Sequence, residues 1–242
     1  MSGHSKWATT KHKKAIIDAK RGKVFTKMAK LVTIAARDGK SGDPTMNPFL
    51  RVAIENAKAA SMPKDNIERA IQRGIGGGSG AAIEEIIYEA YAPGGIALLI
   101  ECLTDNKNRT LGEIKAVLNK AGGSLATAGS VAFQFKKIGQ IIIDENKNEI
   151  KGEGLDLEII ESGAEDFDKE ENLYIVSTSF SDLHAVTKKL VEADVKIDSS
   201  EPTQVAENLI DLFEEKKESV LNMIDKLDDL DDVSSVYSNL NL

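Results

Sequence analysis

Apolar residues in the first third of the chain recur at three- and four-residue steps. Val24, Met28, Leu31 and Ala35, with Phe25, Val32 and Ala36 beside them, form a broad stripe that predicts a helix ending before Gly39. Asn47-Pro48 then offers an N-cap followed by a proline at the first helical position, and Leu50, Ile54 and Ala57 carry a second helix to about Ala60. Met62-Pro63-Lys64-Asp65 opens a third, which closes at Arg73-Gly74 with its basic residue at the negative end. Three short helices with brief connections predict a small bundle. Residues 1 to about 22 have too little apolar periodicity to be packed in it, so a partly mobile helix or tail is expected there.

The period changes after "GIGGGSG", Gly74 to Gly80, which reads as a flexible hinge. Gly76-Gly77-Gly78-Ser79-Gly80-Ala81 formally fits a glycine-rich dinucleotide pattern, but that pattern needs a strand before it and a helix after it, and the order here is the reverse. "EIIYEAYAP" and "GGIALLIECL" predict a hairpin around Pro93-Gly94-Gly95, followed by the helix "NRTLGEIKAVLNKAGG". Next come strands "VAFQF" and "GQIIID", a helix "LDLEIIESGA", a strand "LYIVSTS", a helix "DLHAVTKKLVEAD" and an extended "VKIDSSEPTQVAE". A helix from about Leu212 to Leu227 and a strand "VSSVYSN" close the chain. Hairpins mixed with single helices predict α+β units of ferredoxin-like type rather than one long parallel sheet.

Composition narrows the function. At 242 residues, more than one domain is expected. No apolar run approaches the roughly 20 residues needed to span a bilayer, and no apolar core of a secretory signal follows the early lysines. A single cysteine, Cys102, fits a reducing cytoplasm. The net charge of −8 is an uneven sum. Residues 1–78 hold 16 Lys and Arg against 6 Asp and Glu, a net of +10, whereas residues 79–242 hold 15 against 33, a net of −18. Such polarity predicts a basic module aimed at a polyanion and an acidic body repelled from it.

Catalytic chemistry has little to work with. His4, His12 and His184 are the only imidazoles and Cys102 the only thiol, so neither a metal cage nor another cofactor site is expected. Cys102 falls in phase with Ile96, Leu98 and Ile100 and reads as a buried small hydrophobe. His184 lacks a partner nearby in sequence, and neither a nucleophile elbow nor a phosphate-loop lysine motif is present.

Four polar clusters remain. The strongest is the opening stretch, where Lys6, Lys11, His12, Lys13, Lys14, Lys20, Arg21, Lys23, Lys27 and Lys30 surround Trp7 and only Asp18 opposes them. Cations for phosphates beside an aromatic plate suit single-stranded or irregular nucleic acid, and no recognition helix rich in Arg, Asn and Gln is evident. Trp7 either stacks on a base or pins the tail to the bundle. Lys64, Arg69 and Arg73 extend the basic face along the third helix. "TDNKNRT", with Asp105, Asn106, Asn108 and Arg109, sits where a strand ends and a helix begins; it is either a structural cap or a second nucleic-acid contact. "GGSLATAGS", Gly122 to Ser130, reads as a loop.

"GHSKWATTKHKKAIIDAKRGKVFTK", "MPKDNIERAI", "YEAYAPGG", "ECLTDNKNRT" and "DVSSVYSN" together resemble the YebC/PmpR-type family, which includes a mitochondrial translational activator. The resemblance runs nearly end to end. It implies an N-terminal helical domain (1–78) and two α+β domains, one (131–204) inserted in the other (79–130 plus 205–242). It also implies a cytoplasmic, non-enzymatic regulator of gene expression, described for the family as a DNA-binding transcriptional regulator. Some members act instead at the ribosome, where ribosomal RNA would be the partner and stalling at proline-rich stretches would be relieved. A protein-interaction adaptor is a further alternative, and a monomer is favoured. One departure stands out: the family's "GGxLGTSGS" appears here with Ala126 and Ala128, which puts in doubt any role there needing a positive backbone angle or a hydroxyl.

Overall fold

The computed structural model describes residues 21–76 and 83–241. The tail expected over residues 1–22 lies outside them except for its last two residues, as do residues 77–80 of the expected hinge. Three helices open the described chain, α1 (Arg21–Asp38), α2 (Pro48–Ala59) and α3 (Lys64–Gly74). Val32 and Ala36 of α1, Leu50 and Ala57 of α2, and Ile67 and Ala70 of α3 form their common core with Met62.

Two local devices set this packing. Asn47 accepts from the Leu50 N–H at 3.1 Å and donates through Nδ2 to the carbonyls of Ala35, at 2.8 Å, and Ser41, at 3.3 Å. One buried amide therefore caps α2 and ties it to the end of α1. Gly74 ends α3, and a Cβ there would collide with the Thr33 carbonyl, so the glycine also lets α3 close on α1.

The rest is α+β, as expected. β1 (Glu84–Ala92), β2 (Ile96–Thr104), α4 (Lys107–Lys120), β3 (Ser124–Leu125), β4 (Phe135–Asp144), α5 (Glu153–Ser162), β5 (Asp166–Glu170), β6 (Leu173–Ser179), α6 (Leu183–Glu192), β7 (Ser199–Ala206), α7 (Glu214–Asp228) and β8 (Val233–Ser238) follow in order. They build two four-stranded antiparallel sheets, ordered β3-β1-β2-β8 and β5-β6-β4-β7. The strands of the second sheet interrupt the chain of the first, between β3 and β8.

Two compact units result. One joins the helices and the first sheet, using Leu212–Ser238; the other is built from Phe133–Asp211 with residues 239–241. In the first, β2 is buried along almost its whole length, and Ile114 and Leu118 of α4 and Val220, Met223 and Leu227 of α7 are buried as well. Cys102 lies in this interior, where burial pushes its thiol up to about 12, so it stays protonated and inert at neutral pH. In the second, Ile141, Ile143, Tyr174 and Val176 meet Leu155 and Ile159 of α5 and Val186 and Leu190 of α6. Among the described residues no helix is long and apolar enough to cross a membrane.

The pattern and the structure differ in three places. "VAFQF" and "GQIIID", expected as two strands, form a short 3-10 turn, Ala132–Gln134, and then one continuous β4. Gly139 lies inside that strand because a Cβ there would meet the Leu183 Cβ at 2.7 Å. The edge strands β5, "DFDKE", and β3, two residues long, carry no apolar alternation and were not expected.

Candidate nucleic-acid interface

Lysines at the start of α1 follow the helical turn, so their directions are set by the packing of α1 against its neighbours. Lys27 points to the end of α7, donating to the Asp228 carbonyl at 2.6 Å and lying 3.4 Å from its carboxylate. Lys30, one turn on, donates to the Asp231 carbonyl at 2.7 Å and to Asp232 Oδ1 at 2.5 Å. A helix C-terminus gathers carbonyl oxygens, and here acidic residues add to it, so two cations are favoured at that point. Both lysines, expected to face phosphate, have their ammonium groups engaged within the unit.

Asp232 is the centre of this arrangement. Only 3% of its side chain is exposed, and it accepts from Lys30, from Arg109 through Nε at 3.2 Å and Nη2 at 2.7 Å, from Thr110 at 2.7 Å and from Thr104 at 3.1 Å. Burial alone would raise its pKa. The hydrogen bonds of Lys30, Arg109 and Thr110 outweigh burial and hold the carboxyl at about 2, below its ordinary 3.8.

Most of the "TDNKNRT" cluster has partners within the unit. Asn106 caps α4, accepting from the Arg109 N–H at 3.1 Å, and Arg109 also pairs with Asp105 at 2.8 Å. Asn108 is exposed on the first turn of α4. Lys107 pairs with Glu84 at 2.7 Å.

The outward charge of the helical module lies on α2 and α3. Lys64 is 3.6 Å from Glu68, and Arg69 donates to the Asp65 carbonyl at 3.2 Å and to the Asn66 side chain. Arg73, Arg51, Lys58 and Lys40 are exposed and have no ion pair among the described residues. Arg51 and Lys58 were not singled out from the sequence, although both fall about a quarter turn from Leu50, Ile54 and Ala57 on the helical period, at the flank of the core stripe. Arg21 and Lys23 sit on the first turn of α1. Lys6, Trp7, Lys11, His12, Lys13, Lys14 and Lys20 lie outside the described residues.

One family model, described as TACO1/YebC protein N-terminal domain, matches residues 5–77, and another, TACO1/YebC second and third domain, matches residues 83–240. The chain belongs to the TACO1/YebC family. A probable transcriptional regulatory protein of Halothermothrix orenii is 48% identical over 243 residues, covering 100% of this chain and 96% of its own. A protein of the same description from Bifidobacterium longum is 51% identical over 245 residues, covering 99% and 94%. The crystal structure of a conserved hypothetical protein from Aquifex aeolicus matches with a TM-score of 0.85 at 39% identity, covering 93% of this chain and 91% of that one.

The loop that departs from the family pattern has a clear local logic. Glu89, on β1, accepts from the backbone N–H groups of Gly129 and Val131, both at 2.5 Å, and of Ala132 at 2.8 Å, while its own carbonyl accepts from the Ala126 N–H. Burial opposes the charge on Glu89, and these three donors lower its pKa despite that. Gly122 and Gly129 take positive φ angles, 77° and 86°; Ala126 and Ala128 do not. The substitutions in this TACO1/YebC chain therefore fall where no left-handed backbone is required.

Proposed function

We propose that this chain is a non-enzymatic, cytoplasmic, nucleic-acid-binding regulator of gene expression that acts on transcription through DNA. The observation that carries this reading is the charge division, +10 over residues 1–78 against −18 over the remainder. The printed description of its relatives, probable transcriptional regulatory protein, supports the transcriptional assignment. The proposed contact consists of Lys6, Trp7, Lys11, His12, Lys13, Lys14, Lys20, Arg21 and Lys23, continued by Arg51, Lys58, Lys64, Arg69 and Arg73. Lys27 and Lys30 stand behind it, joining α1 to the acidic α7–β8 connection. Asp105, Asn106, Asn108 and Arg109 form a second, smaller candidate. The proposed domains are 1–78, 79–130 with 205–242, and 131–204.

A second reading, contact with ribosomal RNA in translation, is supported by the exposed phenyl ring of Phe49 in the basic module, since RNA offers unpaired bases. Crosslinking in cells followed by sequencing of the bound nucleic acid separates the two. Recovery of discrete promoters supports transcription; recovery of ribosomal RNA supports translation; recovery of neither rejects the nucleic-acid reading. Replacing Lys11, Lys13 and Lys14 together by glutamine is expected to flatten log K against log salt by about one unit for each lost phosphate contact.

A further inference from the structure

The span Phe133–Asp211 holds 8 Lys against 19 Asp and Glu, yet two large aliphatic side chains stand in solvent on one of its helices: Leu157 is 53% exposed and Ile160 61%. Leu155 and Ile159 of the same helix, α5, already fill the core, so folding does not account for the outward pair. Glu153, Leu157 and Glu161 follow one another at four-residue steps along one ridge, with Ile160 beside them. The apolar pair is thus bracketed by carboxylates.

Glu153, Glu158 and Glu161 have no ion pair among the described residues, and α5 carries no Lys or Arg of its own. Asp156, its fourth acid, is turned to the sheet and accepts from the Tyr174 hydroxyl at 2.7 Å. A second copy of the same face would set glutamates against glutamates, so the occupant that fits is a cationic segment with apolar side chains. Phe180 in the same unit does not suit such a segment, because the Lys137 ammonium already lies 4.4 Å from its ring centroid. Residues 1–20 have the fitting composition, with Lys6, Lys11, Lys13, Lys14 and Lys20 against Asp18 alone and with Trp7, Ile16 and Ile17 as apolar groups. The chain from Trp7 to Arg21, where α1 begins, spans up to about 45 Å when extended, more than the width of a folded unit of roughly 80 residues.

We propose that residues 1–20 dock on the outward face of α5 in the same chain, with Trp7 against Leu157 and Ile160 and lysines of the segment against Glu153 and Glu161. The same residues belong to the proposed nucleic-acid contact, so such a ligand has to displace them; the docking itself does not depend on that reading.

Trp7 is the only tryptophan of the chain, so its fluorescence reports the contact directly. The test compares the emission of the full chain, free of nucleic acid and at low salt, with that of a synthetic peptide of residues 1–20. Wild type is expected to emit to the blue of the peptide. Leu157→Ser with Ile160→Ser, and separately Glu153→Lys with Glu161→Lys, are each expected to return the emission to the peptide's value with the melting temperature unchanged, while Leu157→Met with Ile160→Met keeps the blue shift. Peptide-like emission from wild type overturns the docking. A blue shift that every variant retains puts Trp7 against another surface, such as the helical bundle, and overturns it as well. A shift that appears only as the chain concentration rises assigns the segment to a second copy and overturns docking within one chain.

Discussion

Lys30 on α1 and Arg51 on α2 belong to the same basic module and are equivalent by composition, yet they do opposite things. Lys30 is nearly enclosed against Asp231 and Asp232, whereas Arg51 faces solvent with no ion pair among the described residues. Charge that meets a buried carboxylate holds an element in place. Charge left outward, beside exposed apolar side chains, is available to a ligand. A count of lysines cannot tell these two roles apart; the direction set by helix packing does.

Removing the carboxylate at the centre of the first role is expected to have the largest effect. Asp232→Ala leaves Lys30 and Arg109 without their buried carboxylate and removes one acceptor from Thr104 and Thr110, and should destabilise the chain by about 3–5 kcal/mol in denaturant titration. Lys30→Gln removes one of several donors to that carboxylate, for an expected cost of about 1–3 kcal/mol by the same measurement.

The pH dependence sharpens the same point. A carboxyl held below its unfolded pKa contributes stability that is fully present above the unfolded value and disappears as pH falls through the folded one. For Asp232 that window runs from the ordinary 3.8 down to about 2. Wild type should lose this contribution across the window, and Asp232→Asn, measured in parallel, should lack that part of the acid loss.

The smallest effect on stability is expected on the outward side. Arg51→Gln with Lys58→Gln should change unfolding free energy by no more than about 0.5 kcal/mol, because neither side chain has an ion pair among the described residues. If the double variant is strongly destabilised, the division between holding and contacting charges is wrong.

Much of the fold was legible because local signals agree with it. Asn47-Pro48 marks the start of α2, the glycines around Pro93 mark the hairpin, and the apolar period of α1 survives into its packed face. β5 was invisible because an edge strand of aspartates, lysine and glutamate satisfies its sheet through the backbone and shows only Phe167 as an inward residue. β4 was split because Gly139 and its polar neighbours resemble a break, although the glycine is there to let Leu183 approach.

The candidate site was less legible. Asp232 meets Arg109 across 123 positions and Lys30 across 202, and no local pattern carries such a pairing. Phe49 was available to a helical wheel built from Leu50, Ile54 and Ala57, but an apolar residue beside a predicted core reads as part of it until the packing is seen.

The central claim is that outward cations of the module contact nucleic acid while the enclosed lysines hold α1 in place. It is tested most directly by the slope of log K against log salt for wild type, Lys30→Gln and the Arg51→Gln, Lys58→Gln double variant. The slope should fall by about two units in the double variant and stay unchanged in Lys30→Gln. A slope that falls with Lys30→Gln and is unaltered in the double variant would contradict it.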